Sequence, residues 1–347
     1  MTGRFIRLVA APLLLALGLT ACMLALMGVD PLAYFGLVVQ RGLLSPSGLQ
    51  AAITRMAPLL LVAASLILAF RAGIWNLGGD GQYLLGAVIA AAIAPALAGM
   101  MPHWLAWLVC FAAAAVTGAV WSLLPAWLRA RRGVNEVVSS LMMSFLGLSL
   151  ANVLIKFVFQ DPGTTVPQTV TLPVADRLPR IGDGLLGGAV SSGVLVGLLA
   201  VLLVHGVMTR TAFGLRLRIV GANARAAVHA GLDVPRLTMV VFGLSAGLAG
   251  LAGAVDVLGI QGNVRAGWNP AYGLMVVPLV FLARFNGFAA IVFVFLFSVL
   301  SVGGESAARR LGVPNYVTLV TVAILLIGLA VGEALDRRRR ATKAATA

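Results

Sequence analysis

The chain has 347 residues, 61% of them hydrophobic and only 10% charged, with a mean hydropathy of +1.02, a composition outside that of water-soluble domains. Its formal net charge of +14 does not point to nucleic acid, because the basic residues lie in short clusters between apolar runs rather than in a patch interleaved with aromatics. The expected fold class is an all-α polytopic membrane protein, one transmembrane domain over residues 1–347, with no polar stretch long enough for a separate domain.

Crossing about 30 Å of hydrocarbon takes roughly 20 apolar residues. On that scale about ten membrane segments are expected, at 8–28, 51–70, 83–99, 104–127, 136–157, 186–208, 237–260, 272–283, 286–303 and 315–334, the eighth too short to span alone. The start carries Arg4, Arg7 and the tetrad Leu19-Thr20-Ala21-Cys22, which resembles a bacterial lipoprotein processing site. The run from Leu8 to Gly28 is long enough to cross, so an uncleaved first span is expected instead.

Residues 71 to 86, RAGIWNLGGDGQYLLG, form a polar, glycine-dense interruption between two apolar runs. Non-helical backbone survives at membrane depth only where protein or a water-filled cavity satisfies its amides, so a broken segment here points to a substrate path; a plain cytoplasmic loop is the alternative. Further on come the cluster Arg129-Ala130-Arg131-Arg132 and, near the end, Asp336-Arg337-Arg338-Arg339-Arg340. Placing both clusters inside puts both termini in the cytoplasm.

The longest external segment, 159–184, holds Pro162, Pro167, Pro173 and Pro179 with Asp161, Asp176 and Asp183, which suits an ordered extracytoplasmic connection or a docking surface. The longest internal one, 209–236, is basic, broken by Gly214, Gly221 and Gly231, and contains a short amphipathic stretch from Asn223 to Ala230 expected to form a surface helix. A faint internal echo also stands out. Trp75-Asn76 is followed by Gly81 and Trp268-Asn269 by Gly273, each entering the third segment of a five-segment half and facing opposite sides, as a 5+5 inverted repeat requires.

The chemistry is as informative in what it lacks. The phosphate-cradling loop Gly-x-x-x-x-Gly-Lys-Ser/Thr is missing from a chain whose only lysines are Lys156 and Lys343. His103, His205 and His229 are scattered, and Cys22 and Cys110 read as small apolar residues, so no catalytic residue, metal site or cofactor is expected. Asp80, Glu136, Asp256 and Glu305 form no chain of acids across the membrane, which argues against a self-sufficient secondary carrier.

RAGIWNLGGDGQYLLGA resembles the Phe-Asn-Ile-Gly-x-Glu-Gly-Gln segment of permease subunits in one class of bacterial ABC importers, whose members handle branched-chain amino acids, ribose and other simple sugars, and nucleosides. The form Asn76-Leu77-Gly78-x-Asp80-Gly81-Gln82, followed by Arg132-Gly133-Val134-Asn135-Glu136-Val137, is most similar to the nucleoside (guanosine-type) permeases, and the likeness runs from about residue 50 to 335. It includes Thr211 to Arg218 and Gly221-Ala222-Asn223 through Ala226-Ala227-x-x-x-Gly231, which is similar to the Glu-Ala-Ala-x-x-x-Gly loop that engages the ATPase. Here Arg225 stands at the Glu position, Asp80 at a usual Glu and Gly79 at a usual Ala.

The resemblance implies a non-enzymatic subunit of the bacterial cell membrane that supplies half of a translocation path. Its expected partners are an ABC ATPase with two cassettes, a second homologous permease, an extracytoplasmic substrate-binding lipoprotein and membrane lipid, with ATP used only by the ATPase. The residues it assigns to the substrate path are Trp75, Asn76, Gly78, Asp80, Gly81, Gln82, Trp268 and Asn269. Those assigned to ATPase coupling are Arg216, Arg218, Gly221, Asn223, Arg225, Ala226, Ala227 and Gly231. Nucleosides are the expected cargo, with a simple sugar such as ribose or galactose as the alternative.

Overall fold

The computed structural model describes residues 11–182 and 190–314, and between 315 and 331 residues 316, 317, 320, 321, 323, 324, 327, 328 and 331. The helices are α1 (Ala11–Leu26), α2 (Pro31–Val39), α3 (Pro46–Arg71), α4 (Gly79–Ala98), α5 (His103–Trp121), α6 (Leu123–Arg132) and α7 (Glu136–Val153). A small antiparallel hairpin, β1 (Arg180–Ile181) with β2 (Val190–Ser191), precedes α8 (Gly193–Arg210), α9 (Ala212–Ala222), α10 (Ala224–His229), α11 (Val234–Asp256), α12 (Tyr272–Leu282) and α13 (Gly287–Leu311). Wider π turns extend α2, α7 and α11 at Gln40–Leu44, Leu154–Val158 and Val257–Gln261.

Among the described residues seven helical stretches are long and apolar enough to cross a membrane: Pro46–Arg71, Gly79–Ala98, His103–Arg132, Glu136–Val158, Gly193–Arg210, Val234–Gln261 and Gly287–Leu311. The protein is therefore a multi-pass membrane protein, with α1 and α12 as shorter apolar helices. Segment for segment the sequence expectation needs adjustment. The expected span 186–208 begins at Gly193, because Val190–Ser191 pairs as a strand, and residues 183–189 lie outside the described part. The expected end at 303 gives way to a helix running to Leu311, with Ser301 donating to the Glu305 carboxylate one turn on, so Glu305 is helical rather than in an outer loop. The tenth segment, 315–334, falls largely outside the described residues.

The chain divides into two compact units, one of residues 1–53, 183–188 and 295–347 and one of 54–182 and 189–294. In the first, Pro31 at the first position of α2 and the Asp30 carboxylate, accepting from Leu32 N at 2.9 Å, start a helix in a stretch that held none of the expected segments. Leu24, Tyr34, Val38, Ala307, Ala308 and Val313 make its core.

The second unit is a helical core in which α11 packs on α4 and α5, and α4 packs on α5 and α7. Windows of α4 and α11 are 61% buried against 22% in the His103–Arg132 and Glu136–Val158 stretches, which makes the first pair the inner layer and the others the lipid-facing or partner-facing one. Helices pack this closely in lipid because small residues line the contact, and the core is built from Ala87, Ala90, Ala91, Ala94, Ala114, Ala151 and Ala254 between leucines and valines. The Arg132-to-Val137 motif is a helix–turn–helix joint. Gly133 in a left-handed conformation closes α6, Asn135 caps Val137 N at 2.9 Å to open α7, and Arg129 holds Glu136 at 3.2 Å.

The expected extracytoplasmic connection is ordered by pairing with the segment after α11. Thr169 N donates to Val264 O, Leu172 N to Gly262 O and Leu178 N to Leu258 O, which buries Thr169, Leu172 and Leu178.

Candidate functional site

The break between α3 and α4 is built as lipid demands, with its amides satisfied by neighbouring helices. Leu77 N donates to Ser140 Oγ at 3.0 Å and Gly81 N to Ser144 Oγ at 3.0 Å. These serines lie four apart and so on one face of α7, facing the first turn of α4. Asn76 Oδ1 accepts from Gly78 N at 3.1 Å, while the Asn76 and Gln82 amides bond each other in both directions at 3.1 Å. Asn76 Nδ2 also reaches Ser245 Oγ on α11 at 3.1 Å, and Ser65 on α3 donates to Ser245 O at 2.7 Å.

This network is buried. Asn76 is 1% exposed and Gln82 0%, so in this state both amides hold the broken helix in place rather than facing the surface. Gly78 caps α4, and Gly81 lets α7 approach: a Cβ there would lie 2.8 Å from Ser144 Cα. Trp75 behaves differently. It is 42% exposed and sits in a cluster with Phe70, Phe281 and Phe285, its ring centroid 5.1 Å from Phe70 and 5.6 Å from Phe281.

The second break lies between α11 and α12. Asn269 Oδ1 accepts from Ala271 N at 2.9 Å, the same two-residue turn that Asn76 makes with Gly78. Trp268 lies beside Tyr83 at 6.1 Å, and Tyr83 also meets Tyr272 at 5.8 Å and donates its hydroxyl to the buried Asp256. Ala271, left-handed at φ 54°, precedes α12 and gives it no side-chain cap. The cap comes instead from the other break: Asp80 Oδ1 accepts from Gly273 N at 2.6 Å, a carboxylate placed at the positive end of α12.

The partners Asp80 and Gly273 are 193 residues apart, the offset that also separates Trp75 from Trp268 and Asn76 from Asn269. The structure thus brings Asn76, Gly78, Asp80, Gly81 and Gln82 together around the first turn of α4 and joins them to the head of α12. Trp268 and Asn269 stand on the segment leading into that head.

The loop at 209–236 folds as two helices and a turn. Thr211 Oγ1 accepts from Gly214 N to open α9, Asn223 Oδ1 accepts from Ala226 N at 3.1 Å to open α10, and Gly231, at φ +79°, follows α10. Arg216, Arg218, Gly221, Asn223, Arg225, Ala226 and Gly231 are exposed, as are Val228 and His229, while Ala227 is buried as the anchor of α10. An apolar and basic surface on a short, well-capped helix suits insertion into a partner's groove.

Sequence reasoning passed over Ser65, Ser140, Ser144 and Ser245, and the aromatic partners Phe70, Phe281 and Phe285. The i, i+4 spacing of Ser140 and Ser144 in an otherwise apolar helix was the available signal. A family model described as the permease component of branched-chain amino acid transport systems matches residues 48–329. The chain belongs to that permease family.

The permease is 33% identical to a glucose ABC transporter permease of Haloferax volcanii over 338 residues, 94% of this chain and 87% of that one. A guanosine ABC transporter permease of Bacillus subtilis is 27% identical, with 82% and 81% covered, and a nucleoside ABC transporter permease of Lactococcus lactis is 25% identical, with 78% and 76% covered. As a permease component it is a carrier subunit and not itself an enzyme.

Proposed function

We propose that this chain forms half of the solute path of an ATP-driven ABC importer for nucleosides, with both termini in the cytoplasm. It works beneath an extracytoplasmic binding lipoprotein and beside a second homologous permease, and is driven by a two-cassette ATPase that docks on the 209–236 loop. The observation that carries the reading is the junction of two interrupted helices, α4 and α12, tied by Asp80 and Gly273.

That junction also supports the inverted repeat. Residues near a two-fold axis meet their own counterparts, and the shared offset of 193 makes Asp80 and Gly273 such a pair. Each half then contributes a Trp in an aromatic cluster and an Asn closing the same turn; Asn76 is spent on that turn, whereas Trp75, Trp268 and the exposed Asn269 flank the junction as flat and polar surfaces suited to a base and a ribose. The guanosine and nucleoside permeases among its relatives support a nucleoside cargo. The glucose permease of Haloferax volcanii, at 33% identity, favours a second reading in which the cargo is a simple sugar.

The test is uptake of radiolabelled guanosine, adenosine, uridine, ribose and glucose by cells with the intact transporter and by cells lacking only this chain. Loss of nucleoside uptake alone supports the first reading. Loss of sugar uptake alone moves the assignment to the second, and unchanged uptake of all five refutes both.

A further inference from the structure

The aromatic cluster around Trp75 is joined by a backbone contact to the loop read above as the ATPase contact. Phe70 is in the last turn of α3, Trp75 stands in the break, Phe281 is in the last turn of α12 and Phe285 lies in the turn before α13. Their rings form a closed set: Phe70 stacks on Phe281 at 5.2 Å and 26°, Phe281 meets Phe285 at 5.3 Å, and Phe285 meets Phe70 at 6.2 Å. Phe281 is 36% exposed and Trp75 42%, so the cluster presents ring surface outward from this chain rather than filling a core.

Two further features set it apart from ordinary packing. Arg284 and Phe285 both have left-handed backbone, at φ 52° and 58°, a conformation that a residue as bulky as Phe keeps only where its surroundings hold it. In addition, Gly73, two residues before Trp75 and left-handed at φ +69°, lies against Gly221 near the end of α9. A Cβ on Gly73 would be 3.0 Å from Gly221 Cα, and one on Gly221 would be 2.9 Å from Gly73 N. Gly221 lies two residues before Asn223, the cap of α10. Two glycines in van der Waals contact without side chains leave no slack, so displacement of the α9–α10 joint is passed directly to the chain carrying Trp75.

We propose that Phe70, Trp75, Phe281 and Phe285 form an aromatic gate at the ATPase-facing end of the solute path, and that the Gly73–Gly221 contact is the link through which the ATPase loop moves it. This rests on the transporter reading and the orientation given above. The gate has two arms: α12, fixed at its head by Asp80, carries Phe281, and the segment 72–78, pressed by Gly221, carries Trp75. When the loop moves, the Trp75 arm shifts against the Phe281 arm, and the strained Phe285 turn closes the set again on return.

The experiment uses the complete transporter in proteoliposomes, reading ATP hydrolysis, ATP-driven uptake and ATP-independent leak of preloaded solute. Gly221→Ala is expected to lower uptake about tenfold, a size typical of coupling between sites, while ATP hydrolysis persists. Trp75→Ala and Phe281→Ala are expected to leak without ATP, and Trp75→Phe, which keeps a ring, to stay tight. A second measurement needs no disruptive change at the glycines: Trp75→Cys, with Cys22 and Cys110 replaced by Ala, is labelled by a membrane-impermeant maleimide with and without a non-hydrolysable ATP analogue. A labelling rate that shifts with nucleotide supports the gate.

Equal loss of hydrolysis and uptake in Gly221→Ala, absence of leak in both alanine variants, or nucleotide-independent labelling of the cysteine overturns it. A wild-type complex that moves no solute under ATP overturns the transporter reading itself, and the gate with it.

Discussion

Replacing Asp80 isolates the tie between the two broken helices. The carboxylate is 5% exposed and accepts from Gly273 N at 2.6 Å, and it is the side chain that caps α12, whose own preceding residue offers none. A hydrogen bond to a charged group contributes about 1.5–3 kcal/mol, and a carboxylate at a helix amino end about 0.3–2 kcal/mol. Because both describe one contact, the loss in Asp80→Ala is about 2–4 kcal/mol rather than their full sum. Asp80→Asn keeps an oxygen that can accept and loses only the charge, so about 1–2 kcal/mol is expected.

The assay is thermal unfolding of purified protein in detergent. At about 2 °C per kcal/mol for a chain of this size, Asp80→Ala melts about 4–8 °C lower and Asp80→Asn about half that. An Asp80→Ala protein that melts within about 1 °C of the parent, well inside the smallest expected shift, refutes the tie. So does an Asp80→Asn protein as destabilised as the alanine variant, which would put the effect elsewhere than in the hydrogen bond and the charge.

Other substitutions test the rest of the junction and the loop. Gly81→Val drives a branched side chain into Ser144 Cα, 2.8 Å from where the first carbon would lie, and is expected to abolish assembly, read as loss of the monodisperse peak in size-exclusion chromatography. Ser140→Ala leaves the Leu77 amide without its acceptor and is expected to cost about 1–3 kcal/mol, seen as a lower melting temperature, with Ser140→Thr recovering most of it. Asn223→Ala removes the cap of α10 and is expected to cost about 1 kcal/mol locally, lowering ATP-driven uptake while Asn223→Asp preserves it.

Much of this architecture was legible from residues alone, and the failures have physical reasons. The long apolar runs and the eighth segment's shortness came through because hydrocarbon thickness dictates length, and α12 spans Tyr272–Leu282 where 272–283 was expected. Helix α2 was missed because its nine residues, bounded by Asp30-Pro31 and the π turn at Gln40–Leu44, fall well short of the length that marks a membrane span. The break at 72–78 stood out through its glycines and polar residues, but its partners did not. Ser140, Ser144 and Ser245 are single hydroxyls in apolar helices, and Phe70 and Phe281 are brought together only by the fold. Polar side chains placed in lipid announce themselves, whereas the groups that satisfy them are indistinguishable from packing until the helices are arranged.

The brevity of α12 also bears on how the protein is made. Eleven residues of helix rise about 16 Å, half of what the bilayer requires, so this segment cannot be partitioned into lipid by itself as a nascent span. An amide of its first turn, that of Gly273, is capped by a side chain translated some 190 residues earlier, on α4. Stable placement of α12 therefore waits for the amino-terminal helices to be inserted and packed, and a ribosome-bound chain halted far enough beyond Leu282 for α12 to have left the ribosome is expected to hold α12 in protease-protected form only when Asp80 is intact.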